Sequence, residues 1–107
     1  MNLISEVLIN TRNFLLSQTK DTRKKIGQFF TDEQTALYMA NMFDLSNYKG
    51  KIRVLDPGTG TGILSAAFIE IAIKQNISNI DLVLVENNLD VLPILKENIK
   101  LFKSLKD

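Results

Sequence analysis

Apolar residues recur at helical spacing near the beginning of the chain. Across 2–18 they share one face of a helix: Leu3, Ile4, Val7, Leu8, Phe14 and Leu15. The stretch 18–25 that follows is polar and basic, and it predicts an exposed linker. The chain is therefore predicted to begin with an amphipathic helix that a solvated segment separates from the rest.

A second amphipathic segment begins after this stretch. Thr31 is expected to cap a helix, because Gln34 stands three residues later, as in a capping box. Apolar residues on one face continue from Ala36 to Phe43, which predicts the length of the helix. The segment 47–50, Asn-Tyr-Lys-Gly, has the composition of a turn and is expected to close this element.

The second half of the chain alternates between strand and helix patterns. Residues 52–55 and 81–86 form short apolar runs that predict two strands, with an apolar helix at 63–74 between them. A last helix is expected from about Asn88 or Asp90. The fold class is therefore α/β, with N-terminal helices followed by a βαβα unit of a parallel sheet. The near-continuous hydrophobicity of the second strand also predicts that both of its faces are covered.

Composition removes several classes of protein. The 107 residues contain neither cysteine nor histidine, which excludes disulfides, thiolate metal sites and catalytic triads that need either residue. Thirteen basic residues oppose twelve acidic ones, so the net charge is +1 and no strongly basic tail exists. No apolar stretch approaches the roughly 20 residues that span a bilayer, and no signal-peptide pattern opens the chain. We expect a soluble cytoplasmic protein that uses no metal ion.

The segment 55–62, Leu-Asp-Pro-Gly-Thr-Gly-Thr-Gly, carries the strongest chemical signal. Its three glycines alternate at the carboxyl end of the first predicted strand, where open α/β sheets bind their ligands. Glycine lets a ligand approach the backbone without meeting a Cβ atom. The spacing differs from the dinucleotide fingerprint, and no Lys-Ser or Lys-Thr follows as in a P-loop. Asp56 at the loop entrance disfavours a pyrophosphate and favours a cationic or amino group.

Glu86 ends the second predicted strand and is therefore expected beside this loop, at the same edge of the sheet. An acid at this point can accept hydrogen bonds from both hydroxyls of a ribose. Together, the loop and Glu86 predict a ligand that joins a nucleoside to an amino acid, and S-adenosyl-L-methionine fits that description. A simple tight turn is the alternative for a glycine-rich segment, and a solvated strand end is the alternative for Glu86 alone.

These residues resemble the class I S-adenosylmethionine-dependent methyltransferases. More narrowly, they resemble the amino-terminal part of the N6-adenine-specific DNA methyltransferases of restriction–modification systems. The matching blocks are 25–31, Lys-Ile-Gly-Gln-Phe-Phe-Thr, the cofactor loop 54–62, and the acidic strand end 85–87. The resemblance implies a Rossmann-like methyltransferase fold that is incomplete in this chain. It divides the chain into a helix with a basic linker, 1–24, and a portion of the cofactor-binding domain, 25–107.

The resemblance also implies the residues of the cofactor site. Those expected to contact S-adenosyl-L-methionine are Gln28, Phe30, Thr31, Asp56, Gly58, Thr59, Gly60, Glu86 and Asn87. For Phe30 the alternative role is core packing, and for Thr31 it is helix capping. No catalytic residue is implied, because the family's Asn-Pro-Pro-Tyr or Asp-Pro-Pro-Tyr motif, which holds the flipped adenine, does not occur in these residues. The chain is expected to bind the cofactor and to be inactive alone.

DNA is the partner that the resemblance implies, through the full-length enzyme. The basic residues Lys20, Arg23, Lys24 and Lys25 would then contact phosphate, although a solvated linker is the commoner role for such a run. Two alternatives remain open at this point. One is a fragment of an RNA or protein methyltransferase, and the other is a non-catalytic module that self-associates through exposed strand edges.

Overall fold

The computed structural model describes residues 2–27, 30–48, 50–77 and 79–105. Within them lie five helices and two strands, in the order α1 (Leu3–Leu16), α2 (Lys20–Gly27), α3 (Glu33–Ala40), β1 (Lys51–Pro57), α4 (Ile63–Lys74), β2 (Asn79–Val85) and α5 (Leu92–Lys103). The two strands pair in parallel, from Lys51 opposite Asn79 to Pro57 opposite Val85. With α4 as the crossover helix, this arrangement confirms the predicted α/β class.

The hydrophobic core lies on one face of the two-stranded sheet. Helix α4 packs there, and α1 and α3 both contact α4, while α1 also contacts α5. The buried residues that form this core are Leu3, Ile4, Val7, Ala36, Ala40, Ile63, Ala66, Ala67, Ile69 and Ile71. The alanines of α3 and α4 leave room for these two helices to approach each other closely. Helix α1 is therefore part of the same core as the strand–helix–strand unit.

The opposite face of the sheet is uncovered among the described residues. Leu55 is 65% exposed, Val83 is 54% exposed and Val85 is 49% exposed. The prediction that both faces of β2 are covered is wrong for this part of the chain, because the helices that pack on the sheet lie on the other side. An open groove of about 1050 Å³, lined mainly by isoleucine and leucine, also runs between α4 and α5 along β2.

The stretch predicted as a linker is helical. Helix α2 occupies Lys20–Gly27, and the hydroxyl of Thr19 accepts a hydrogen bond from the backbone N–H of Thr22 over 3.2 Å at its start. The predicted exposure is confirmed for most of residues 18–25, but the prediction of a linker is wrong because these residues belong mainly to a helix. Periodicity failed here because the helix has almost no apolar residues to mark a buried face.

Asp32, and not Thr31, caps helix α3. The Asp32 side chain accepts a hydrogen bond from the backbone N–H of Thr35 over 2.8 Å, and its backbone is extended, as a cap requires. The cap predicted at Thr31 is thus one residue too early. The helix also ends at Ala40, before Phe43, whose apolar ring packs edge-on against another aromatic ring rather than continuing the helix.

The last helix begins later than predicted. Helix α5 starts at Leu92, after a turn that contains Asn88 and Asp90, and Pro93 occupies its second position. Proline is tolerated there because the N–H groups of the first turn have no partner within the helix. Pro93 is therefore compatible with this helix, whereas the start predicted at about Asn88 or Asp90 is wrong.

The cap at Asp32 makes an acid-dependent contribution to stability. The hydrogen bonds from Thr35 hold the pKa of the Asp32 carboxyl below its ordinary value of 3.8. Because the pKa is lower in the folded state, the stabilisation is present above the ordinary value and is lost as the pH falls through the lowered one. Unfolding free energies measured from about pH 7 to about pH 3 should therefore show a weaker acid dependence in Asp32→Asn, which retains the cap. The Thr31→Ala control should keep the full acid dependence, and an unchanged slope in Asp32→Asn would contradict this assignment.

Candidate cofactor site

The glycine-rich loop 58–62 connects the end of β1 to the beginning of α4. Its glycines have positive φ angles, +66° at Gly58, +59° at Gly60 and +92° at Gly62. Residues with a side chain rarely adopt such angles, so the shape of the loop explains why glycine stands at every second position. Since β1 and β2 are parallel, the loop lies at the same edge of the sheet as the residues that follow Val85.

Asp56, half-buried at the end of β1, holds the loop to the helix that follows it. Its Oδ2 atom accepts hydrogen bonds from the hydroxyl of Thr59 over 2.8 Å and from the hydroxyl of Ser65 over 2.7 Å. Both hydroxyl residues are buried, and Ser65 belongs to the first turn of α4. Among the described residues, the Oδ1 atom has no hydrogen-bond partner. One carboxylate oxygen therefore fixes the loop to the first turn of α4.

Glu86 holds the same loop from the end of β2. Its Oε1 atom accepts a hydrogen bond from the backbone N–H of Gly60 over 2.8 Å, and its Oε2 atom accepts one from Asn88 over 3.0 Å. The backbone N–H of Thr59 also donates to the carbonyl of Val85 over 3.0 Å. The structure thus brings Asp56 and Glu86 to two consecutive residues of one loop, although they are thirty positions apart in sequence.

A cavity of about 550 Å³ opens beside this loop and Glu86. Five of the nine predicted cofactor residues line it: Phe30, Gly58, Gly60, Glu86 and Asn87. The ring of Phe30 lies over the loop, so that a Cβ atom on Gly60 would be 3.6 Å from it. The loop therefore forms one wall of the cavity, and Phe30 forms part of another.

Three further predicted residues, Asp56, Thr59 and Thr31, do not line the cavity. Thr59 is buried, and its hydroxyl bonds to Asp56, which is half-buried at the base of the loop. Thr31 is half-buried and follows Phe30 in the chain. Gln28 lies outside the described residues.

Sequence reasoning missed five residues of the cavity wall: Thr22, Lys25, Asn88, Asp90 and Val91. Thr22 and Lys25 are three positions apart on α2 and so share one face of that helix. The sequence could have indicated these two residues only if 20–27 had been predicted as a helix. The other three residues lie in the turn between β2 and α5 and become neighbours of the loop through the parallel pairing of the strands.

Thr61, between two glycines of the loop, belongs to a buried polar cluster. Its hydroxyl oxygen is 2.9 Å from that of Thr11 in α1, and its carbonyl accepts a hydrogen bond from the Nδ2 atom of Asn98 in α5 over 2.7 Å. The Oδ1 atom of Asn98 accepts a further bond from Asn10 over 2.8 Å. Asn98 is completely buried and Thr61 nearly so. We define these four residues as the loop-support cluster.

The charged groups on the cavity wall are of both signs: Lys25, Glu86 and Asp90. The described residues contain no group of three or more Asp, Glu, His or Cys side chains arranged to hold a metal ion. In the same part of the chain, every helix is too short or too polar to cross a membrane. Because its wall carries the cation Lys25 and the acids Glu86 and Asp90, the cavity is suited to a small ligand that has both positive and negative charge.

Two curated proteins are similar to this chain in sequence. The type II methyltransferase M.BsuBI of Bacillus subtilis is 37% identical over 81 residues, which is 76% of this chain and 16% of that protein. The type II methyltransferase M.PstI of Providencia stuartii is 32% identical over 103 residues, which is 90% of this chain and 20% of that protein. No family model matches the chain, and no solved structure matches it significantly.

The similarity extends over most of this chain but over a small part of each relative. The chain spans a fifth or less of the length of the two methyltransferases. Both relatives carry the same description, and each alignment covers three quarters or more of the chain. By sequence, the chain is a relative of the type II restriction–modification methyltransferases and corresponds to part of the length of such a protein.

Proposed function

We propose that the loop 58–62 and Glu86 bind S-adenosyl-L-methionine, and that the chain is the cofactor-binding part of a methyltransferase with a Rossmann-like fold. The observation that carries this proposal is the position of Asp56 and Glu86. Both carboxylates bond to one loop at the carboxyl edge of a parallel strand pair, where α/β sheets bind their ligands.

The electrostatics of this edge favour a ligand without phosphate groups. A phosphate placed against the loop would approach two carboxylates, which would repel it. The hydroxyls of a ribose, in contrast, would donate to Glu86, whose oxygens each have a lone pair left after their single backbone bond. Asp56 supports this site from the base of the loop, through its hydrogen bonds to Thr59 and Ser65.

The cavity fits the remaining features of this cofactor. Its volume of about 550 Å³ lies within the range of roughly 300–1,000 Å³ that is typical of small-molecule sites. Lys25 offers a cation to the carboxylate of the methionine part, while Glu86 and Asp90 make the wall attractive to positively charged groups. Phe30 provides an apolar surface beside the loop.

When bound, the cofactor supplies a methyl group on a positively charged sulfur atom. The residues of this chain would bind and orient it. Both relatives are type II methyltransferases, and the sequence resemblance alone supports transfer to the N6 atom of adenine in DNA. The residues that would hold the adenine are not part of the proposed site, since the motif that does so in the resembling family is absent from these 107 residues.

Isothermal titration calorimetry of the 107-residue chain tests the cofactor proposal. We expect S-adenosyl-L-methionine and S-adenosylhomocysteine to bind with one site per chain, and a nicotinamide dinucleotide to give no signal. Far-UV circular dichroism of the same sample verifies that it is folded. A folded sample that binds neither methionine derivative, or that binds the dinucleotide instead, would overturn the proposal.

Adding a methyl group to Gly58 should weaken cofactor binding in a way that a matched glycine does not reproduce. Gly58 and Gly50 both have positive φ angles and no atom within 4 Å of a Cβ position, so alanine strains the backbone at each. Of these two glycines, Gly58 lines the cavity and Gly50 does not. We expect Gly58→Ala and Gly50→Ala to lose similar stability, about 1–2 kcal/mol, in urea unfolding. Calorimetry should show an affinity loss of about tenfold or more for Gly58→Ala alone; equal affinities would argue against a ligand at this wall.

The adenine-N6 part of the proposal needs a separate assay. The longest protein that the gene encodes is incubated with duplex DNA and S-adenosyl-L-methionine labelled on its methyl group. Digestion to nucleosides should place the label in N6-methyldeoxyadenosine. Label in cytosine, or transfer to RNA or protein in preference to DNA, would support one of the alternative substrates and exclude this one.

A further inference from the structure

The loop-support cluster fixes the glycine-rich loop at Thr61, from the side of the helices. Asp56 and Glu86 hold the loop at Thr59 and Gly60, on the side of the strands. Thr61 is held instead by Thr11 of α1 and Asn98 of α5, through bonds that span 50 and 37 residues of sequence. The loop is therefore supported from two directions.

The direction of the hydrogen bond between Thr11 and Thr61 follows from the number of hydrogens that each hydroxyl carries. The hydroxyl of Thr11 is 2.7 Å from the carbonyl oxygen of Val7 and 2.9 Å from the hydroxyl of Thr61. Because a hydroxyl carries one hydrogen, Thr11 donates to only one of these atoms. The carbonyl of Val7 is an acceptor only, so Thr11 donates to it and receives the hydrogen of Thr61. Every polar group of this chain of bonds is then satisfied, in agreement with the absence of unpartnered buried side-chain atoms in the described residues.

We propose that Thr11, Thr61 and Asn98 are positioning residues for the cofactor site, an inference that rests on the proposed binding of S-adenosyl-L-methionine. Thr61 directly follows Gly60, whose N–H is held by Glu86 and whose backbone lines the cavity. Glycine at 60 and 62 leaves the loop many backbone conformations. The bonds to α1 and α5 select one of them, so that less ordering remains to be done when the ligand binds.

The role differs from simple support of the fold, because it predicts which substitutions change affinity. Thr11→Val and Thr61→Val remove the shared bond with almost no change of side-chain volume. Each should weaken the binding of S-adenosylhomocysteine by about 3- to 10-fold, the equivalent of one hydrogen bond. The double variant should be no weaker than either single one, because both changes remove the same bond. Thr11→Ser retains the hydroxyl, so its affinity for S-adenosylhomocysteine should stay within about twofold of that of the original chain.

Val7→Ala is the matched structural control. Val7 is fully buried on α1 and its side chain belongs to the hydrophobic core, not to the loop-support cluster. The variant should therefore lower the urea midpoint more than Thr11→Val does, while the folded chain keeps its affinity. Amide hydrogen exchange supplies a second measurement: the N–H groups of Gly60 and Gly62 should exchange faster in Thr11→Val, but not in Thr11→Ser.

The outcomes separate this inference from the proposed function. An original chain that is folded but binds no S-adenosylhomocysteine refutes the proposed function, whereas the exchange rates still report whether α1 holds the loop. An original chain that binds, together with unchanged affinity in both valine variants, overturns the positioning role. The role is also overturned if Val7→Ala loses as much affinity as Thr11→Val. If Thr61→Val fails to fold, Thr11→Val and Thr11→Ser carry the comparison alone.

Discussion

Replacement of Glu86 by alanine is expected to weaken the binding of S-adenosyl-L-methionine by about 100-fold or more. In the proposed site the carboxylate accepts both ribose hydroxyls, and each bond to a charged group contributes about 1.5–3 kcal/mol. The same carboxylate holds the N–H groups of Gly60 and Asn88, so its removal also releases the loop. Glu86→Gln keeps the shape of the side chain and one acceptor oxygen, so its affinity for the cofactor should lie between those of the original chain and Glu86→Ala.

A ligand lacking one hydroxyl identifies the cause of this loss. S-adenosylhomocysteine and its 2′-deoxyribose analogue are titrated into the original chain and into Glu86→Ala. The original chain should prefer the intact ribose, and the variant should show little preference, which isolates the interaction between the hydroxyl and the carboxylate. Glu97→Ala is the control, since Glu97 is exposed on α5 and pairs with Lys100 away from the cavity wall. An equal preference for the intact ribose in the original chain and in Glu86→Ala would show that Glu86 does not bind the ribose hydroxyl.

Gly62→Ala should cause the largest loss of stability of any alanine substitution in the loop, about 2–4 kcal/mol. The φ angle of +92° strains a residue with a side chain, and the new Cβ atom would lie 3.2 Å from Phe102 and 3.4 Å from Leu95. Small domains are stable by about 5–15 kcal/mol, so a substantial part of the total is affected. Urea unfolding followed by circular dichroism measures the change.

Gly50→Ala separates backbone strain from the contact with α5. Gly50 has a similar φ angle, +83°, but no atom within 4 Å of its Cβ position. Its replacement should cost only the strain, about 1–2 kcal/mol. The additional loss in Gly62→Ala should shrink in the double variant Gly62→Ala/Phe102→Leu, which shortens the side chain that the methyl group meets. Equal losses in the two single variants would show that the approach of α5 is not what requires glycine at position 62.

The strand–loop–helix unit could be predicted from local pattern. Two apolar runs bracket an apolar helix of 12 residues, and the bounds 63–74 predicted for that helix agree with α4. The position of Glu86 beside the loop followed from the rule that parallel strands end at one edge. Both inferences need only the order of elements along the chain, and for that reason the sequence was sufficient.

Features that depend on contacts between distant elements could not be predicted in this way. Lys25 belongs to a polar helix without an apolar face, so nothing local indicated that it lines the cavity. Asn98 is an amide within an otherwise apolar helix face, and its burial is explained only by the carbonyl of Thr61, which it meets in the folded chain. The division of the chain at residues 24 and 25 stays a prediction, although α1 packs in the same core as α4.

The partners of α1 place its docking late in the formation of the molecule. The backbone of Ile4 donates to Glu70, 66 residues away, and Asn10 bonds to Asn98, 88 residues away. At a synthesis rate of roughly 5–20 residues per second, about 4–18 s pass between the translation of Asn10 and that of Asn98. During this interval the apolar side of α1 has no finished surface to cover it. Helix α1 is therefore synthesised well before the residues that secure it, and nascent-chain chaperones would have those seconds in which to bind it.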